Sequence, residues 1–316
     1  YMTMVSSKML RGFHPQFSGH ETFPLRQLWL LKYVEMTNDI NRNVIDRPAD
    51  DEAIAILGVG KNMLNSMRYW AQAAGMVETS GKGIVLTPLG AKIFGKGEVG
   101  DNGLDGNCEH TATPWLVHWN ISSVPDRFTT NWYLFNCINT PTVDRESFLR
   151  SLREWTEENA IAASEMTLKR SIEVVMRAYA PRQSGRGHME DFVEPLLAEL
   201  DLLRVKSRDS VEFHRSEHPT LPDGLFAYAL MDYWGRQSAG ATIDFNHIAH
   251  DFGSPGRVFK LDSKSIDARL SRLEELTDEA LVWTEQAGLR QVIRRKDALK
   301  NPEKFKMAML EKAYAA

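Results

Sequence analysis

This sequence predicts a mainly α-helical protein with short β-hairpins, built from winged helix-turn-helix modules around an α-helical middle region. Three observations predict it. Residues 49–95 hold two helical patterns parted by glycine, then a basic-tipped hairpin and a capped helix. Residues 242–294 repeat that order more weakly. Between them, residues 113–181 read as helices dense in tryptophan and other aromatics.

Taken in order, the first long helix is expected at 25–36, after Phe17-Ser18-Gly19-His20-Glu21-Thr22-Phe23-Pro24, where Gly19 and Pro24 bend the backbone. Asp50-Asp51-Glu52 puts acid at the start of a short apolar helix ending at Leu57, which suits the positive end of a helix dipole. Gly58-Val59-Gly60 permits a tight reversal. The next helix, 61–74, carries Met63, Leu64, Met67, Trp70, Ala71 and Ala74 on one stripe. Lys61, Asn62, Asn65, Arg68, Tyr69 and Gln72 fall on the other, a face short of acid and rich in donors for phosphates and base edges. Residues 76–79 and 84–86 read as strands around Ser80-Gly81-Lys82-Gly83, and Thr87 caps a helix opened by Pro88.

Glycines crowd residues 95–107, which read as a linker or mobile loop. Helices are then expected from 113, around 132–135, at 145–157 behind Asp144, and from Ser164 or Thr167 to Tyr179. The polar, basic segment 182–188 reads as a boundary or a phosphate-contacting loop. Beyond it come a helix at 192–200, strands at 203–206 and 211–214, and helices at 221–234, 242–251 and 262–276. Paired strands are expected at 280–284 and 290–294. The units that follow are 1–95, 96–112 (linker), 113–181 and 182–316.

With 316 residues the chain can bury a sizeable core and form two or three compact units. It is 43% hydrophobic and 25% charged, with no apolar run long enough to span a bilayer. Residues 1–11 lack the apolar segment of a secretory signal. Two cysteines, Cys108 and Cys137, make neither a disulfide framework nor a zinc site, so a reducing, cytoplasmic location is expected. A formal charge of −4 argues against a generic nucleic-acid coat but not against a local cationic face, because only the cations that meet phosphates set affinity.

Chemistry is harder to place. His20 beside Glu21 pairs an imidazole with a carboxylate, a combination that moves protons or holds a divalent metal; the alternative is that Ser18, His20 or Thr22 caps a helix. His118 sits in an apolar setting, where a hydrogen-bonded core histidine is the simpler reading. Arg269, Arg272, Arg290, Arg294, Arg295 and Lys296 form a basic patch, either solvated surface or a nucleic-acid face. No Walker loop, Rossmann fingerprint, zinc spacing, serine elbow or cysteine-nucleophile motif occurs.

Several stretches together resemble a known family. They are residues 17–24, Gly58-Val59-Gly60-Lys61-Asn62-Met63, Arg68-Tyr69-Trp70, Leu86-Thr87-Pro88-Leu89-Gly90, residues 112–119 and Trp132-Tyr133-Leu134-Phe135-Asn136. Thr167-Leu168-Lys169-Arg170, Leu197-Ala198-Glu199-Leu200 and Phe226-Ala227-Tyr228-Ala229-Leu230 continue the likeness, which spans 17–295. The family is a domain of unknown function from bacterial DNA-phosphorothioation defence operons, whose best-described kind is the SspB-type nicking subunit of the single-strand (Ssp) system. The resemblance implies a nicking endonuclease on double-stranded DNA. Its implied partners are a cysteine desulfurase, an ATPase and an ATP-pyrophosphatase-like sulfur-transfer protein. This sequence departs from the family's pattern at Ser171 and Glu194, where an aspartate and a cysteine are usual.

A nickase holds the duplex through phosphates and activates water against one bond, usually with a divalent metal such as Mg2+ or Mn2+. On that expectation His20 serves as base or ligand, with Glu21 and Asp105 as metal-binding carboxylates. Lys61, Asn62, Asn65, Arg68, Tyr69 and Lys82 are the expected DNA contacts. The alternatives are a non-catalytic DNA-binding adaptor that recruits the sulfur-transfer partners, and a transcriptional regulator bound as a dimer to paired half-sites.

Overall fold

The computed structural model describes residues 13–42, 50–81, 83–96, 101–181, 195–237, 240–286, 288–295 and 297–316. Their architecture is mainly α, with small antiparallel sheets. The N-terminal part runs α1 (Trp29–Arg42), α2 (Asp50–Leu57), α3 (Lys61–Ala73), β1 (Val77–Ser80), β2 (Gly83–Leu86) and α4 (Pro88–Phe94). Acid at α2's first turn and Pro88 at the start of α4 fall where expected. The Thr87 hydroxyl accepts from Gly90 N–H at 2.9 Å, closing the cap. β1 and β2 pair from Val77 with Leu86 to Ser80 with Gly83.

One start moves. Residues 25–28 were expected in the first helix, yet α1 begins at Trp29. The Leu25 carbonyl instead accepts from Leu196 N–H at 3.0 Å, and Arg26 bridges to Pro195, so distant partners hold this backbone outside the helix.

The middle part runs α5 (Ala112–Ser122), α6 (Thr129–Asn136), β3 (Thr142–Asp144), α7 (Arg145–Glu158), α8 (Glu165–Tyr179), a 3-10 turn (Leu196–Leu200), β4 (Leu203–Val205) and β5 (Ser210–Phe213). Asp144 caps α7 and Ser164 caps α8. The sheet order is β3-β5-β4, so residues on both sides of the boundary expected at 181/182 share one sheet. Residues 182–194, with the basic loop and Glu194, lie outside the described residues. Ser171 is buried, its hydroxyl 2.6 Å from that of Thr130.

The C-terminal part runs α9 (Asp223–Gln237), β6 (Thr242–Asp244), α10 (Phe245–His250), α11 (Pro255–Val258), α12 (Ser263–Ser271), α13 (Leu273–Leu276), β7 (Leu281–Gln286), β8 (Leu289–Arg294), α14 (Asp297–Lys300) and α15 (Pro302–Tyr314). Its sheet order, β6-β8-β7, repeats that of the middle sheet with the same helix-before-hairpin sequence. The helix expected at 242–251 starts three residues late, because residues 242–244 pair with β8 and Asp244 then caps α10. α15 was not foreseen, although Asn301 and Pro302 are start signals for it. It packs on α9, where a Cβ on Gly224 would stand 2.5 Å from the Ala313 backbone nitrogen.

The core gathers Trp70, Trp115, Trp119, Trp132 and Trp234, all fully buried, so these aromatics are packing residues. His118 is a satisfied core histidine. Its Nδ1 lies 2.7 Å from the Tyr179 hydroxyl and its Nε2 2.9 Å from the Val258 carbonyl. Among the described residues no helix is long and apolar enough to cross a membrane.

Candidate nucleic-acid interface

α3 has two unlike ends. Its C-terminal half is docked: Met67, Trp70, Ala71 and Ala73 are buried, and Asn120 donates to the Ala74 carbonyl at 2.8 Å. Arg127 donates to the Ala73 carbonyl at 3.4 Å, setting a cation at the negative end of the helix. The N-terminal end is open. Gly60 supplies no side-chain acceptor there, and the first turn holds no acid. Lys61 and Asn62 are exposed, and neither has an ion-pair or side-chain hydrogen-bond partner among the described residues. Uncapped N–H groups, a lysine and an amide at a helix start together suit an anion.

The other expected contacts are placed differently. Asn65 is half-buried. Arg68 donates to Asp50 at 3.0 Å and to the Tyr33 hydroxyl at 3.3 Å, so its charge is matched inside the module. Tyr69 donates to the Arg127 carbonyl at 3.1 Å, and its ring meets His20, Trp70 and Phe128; burial pushes its pKa up. Lys82 lies outside the described residues.

The 17–24 segment is a bent loop seated on the inner side of α3. The Ser66 hydroxyl donates to the His20 carbonyl at 2.9 Å, and the Trp70 indole to the Phe23 carbonyl at 3.0 Å. Gly19 has φ +105°, and a Cβ there would stand 2.7 Å from the Tyr69 ring, so no other residue fits without displacement. Glu21 (φ 47°) and Thr22 (φ 67°) are both left-handed, a costly conformation for a β-branched residue. Glu21 is exposed and His20 is not.

His20 is 3% exposed, with Nδ1 accepting from Thr22 N–H at 3.3 Å and Nε2 left without a partner of good hydrogen-bond geometry. Burial pulls its pKa down to about 4, opposed by the Phe17 backbone. The imidazole is therefore neutral at pH 7, a weak acceptor shielded from water. Asp105 stands elsewhere. Its carboxylate accepts from Glu109 N–H at 2.8 Å, His110 N–H at 3.1 Å and the Thr113 hydroxyl, tying the chain before α5. The structure does not bring His20, Glu21 and Asp105 into one ligand set: among the described residues, no group of three or more His, Cys, Asp or Glu could hold a metal.

The larger basic patch is also accounted for. Arg269 and Arg272 both grip Asp223, Arg290 grips Asp267 and Glu285, and Arg294 lies 4.2 Å over the Trp234 ring. Arg295 is exposed, and Lys296 lies outside the described residues. Sequence reasoning missed Arg215, Arg257 and Lys260, which the fold gathers at the end of α6; no spacing in the chain signals that cluster.

A family model described as a protein of unknown function, DUF4007, matches residues 17–314. Two solved structures share the fold at TM-score 0.81 and 23% identity. One is an SspB crystal structure (98% of this chain and 91% of that chain), the other magnesium ion-bound SspB (98% and 90%). No curated protein matches the chain.

Proposed function

The chain belongs to the DUF4007 family, and from that premise we propose that it binds duplex DNA and nicks it as a subunit of an SspB-like phosphorothioation defence system. In this reading the three helix-and-hairpin units are winged helix-turn-helix modules, and the first of them meets DNA. The observation that carries the reading is the open start of α3, where Lys61, Asn62 and uncapped N–H groups face outward with no acid among them. Of the three expected catalytic residues only Glu21, on a strained turn, is exposed, so it is the carboxylate this reading assigns to the phosphodiester.

Asp105 does not fit a metal cage, because its oxygens are engaged by Glu109, His110 and Thr113. Were Mg2+ or Mn2+ used, Glu21 would hold it, and the ion would supply charge stabilisation at the phosphate. No step is assigned to it. The sulfur-transfer partners (a cysteine desulfurase, an ATPase and an ATP-pyrophosphatase-like protein) belong to the same proposal.

The second reading, a non-catalytic adaptor, is favoured by the burial of His20 and the capping role of Asp105. Relaxation of supercoiled plasmid separates the two. With Mg2+ or Mn2+ the chain is expected to give open circles. Glu21→Gln should abolish them while duplex binding persists, and Lys61→Ala with Asn62→Ala should weaken both. Binding without relaxation in either ion selects the adaptor.

A further inference from the structure

We propose that Arg215, Arg257 and Lys260 form a binding site for a phosphate oxyanion at the junction of the middle and C-terminal units. Arg215 follows β5 of the middle sheet, whereas Arg257 lies on α11 and Lys260 just beyond it. Both latter groups are fixed on successive carbonyls at the end of α6. Lys260 Nζ donates to the Phe135 carbonyl at 2.6 Å, and Arg257 donates to that of Asn136. Lys260 is 1% exposed and rests 4.2 Å over the Phe213 ring; Arg257 rests 4.9 Å over Phe252. Arg215 is exposed and lies near enough to repel both of them.

What sets this cluster apart is that no counter-ion pairs with it among the described residues. Among the described residues, none of the three makes an ion pair, whereas Arg269, Arg272 and Arg290 in the neighbouring unit are each held by carboxylates. Of the acidic groups felt by Arg257, burial pushes the Cys137 thiol up to about 12 and keeps it protonated, and Asp251 is occupied by the Tyr233 hydroxyl and His247, each at 2.8 Å. The negative end of α6 offsets part of the charge. Two carbonyls cannot, however, satisfy the donors of the Arg257 guanidinium and the Lys260 amine, and neither carbonyl reaches Arg215. Burial drives the Lys260 ammonium well below its ordinary pKa, and repulsion from Arg215 and Arg257 adds to it. A tetrahedral oxyanion supplies both the charge and the acceptors that the cluster lacks.

The site shares no residue with α3. Thermal melting and calorimetric titration of the full chain with inorganic phosphate, against chloride at matched ionic strength, test it. Phosphate should raise Tm beyond chloride. Arg215→Gln, a surface change, should weaken phosphate binding by about tenfold or more. Lys260→Met should remove the phosphate effect while raising Tm in chloride, because a buried polar group held by one carbonyl is replaced by an apolar side chain. Lys61→Ala should leave the phosphate effect intact. If Arg215→Gln also weakens duplex binding, the oxyanion is a DNA backbone phosphate; if duplex binding is unchanged, it belongs to a smaller phosphate compound. No phosphate-specific stabilisation, or its persistence in both Arg215→Gln and Lys260→Met, overturns the proposal.

Discussion

The N-terminal and C-terminal units place helix, turn, helix and hairpin in the same order but use their cations in opposite ways. At the start of α3, Lys61 faces outward with no acid in the first turn. Around α12, Arg269 donates to Asp223 and to the carbonyls of Leu221, Glu217 and His218, and Arg272 shares the same carboxylate. A count of basic residues favours the C-terminal unit as the polyanion face; the placement of carboxylates reverses that choice. A guanidinium already satisfied by an internal acid has little to offer a phosphate.

The comparison can be broken most forcefully at its buried end. Asp223→Ala leaves Arg269 buried with its carbonyl partners alone and should cost about 3 kcal/mol, read from chemical denaturation. A variant as stable as the parent would mean that Asp223 is not what holds these arginines.

Acid should act next. Burial lowers the pKa of His20 to about 4, of His118 to about 3 and of His218 to about 4, so each is neutral in the fold. The unfolded chain takes up these protons near pH 6.5. Stability is therefore full above that value and falls as pH drops through the window down to about 4, with His118 extending it to about 3. His20 alone accounts for about 3 kcal/mol. Melting between pH 7 and 4 checks this, and His20→Gln should flatten part of the slope.

On DNA, Lys61→Ala should weaken duplex binding by about tenfold at moderate salt and reduce the salt slope by about one. Arg272→Ala should leave that slope unchanged. Equal effects would erase the distinction between the two units. The smallest effect lies in the local frame: Thr87→Ala should cost about 1 kcal/mol by uncapping α4.

Much of the fold was legible because the signals are local. Thr87-Pro88, Asp144 and Ser164 each mark a helix start that the structure keeps, and the hairpins at 77–86 and 281–294 pair as their turns imply. The errors arose where a distant partner captured the backbone. Pro195 and Leu196 hold residues 25–26 out of α1, and β8 turns residues 242–244 into a strand. The candidate site was half legible. Lys61 and Asn62 face out as the helical stripe implies, but nothing in the spacing tells that Arg68 will meet Asp50 or that Tyr69 will turn inward onto His20.

The sequence by itself determined the helical elements, their caps and hairpins, and the polar stripe of α3, since these depend on residues within a few positions of one another. Only the tertiary structure decided which cations stay free. Charge pairing depends on which side chains approach through space, and Asp223 reaches Arg269 and Arg272 across more than forty residues of chain. The same contingency left Arg215, Arg257 and Lys260 together with no ion pair among the described residues.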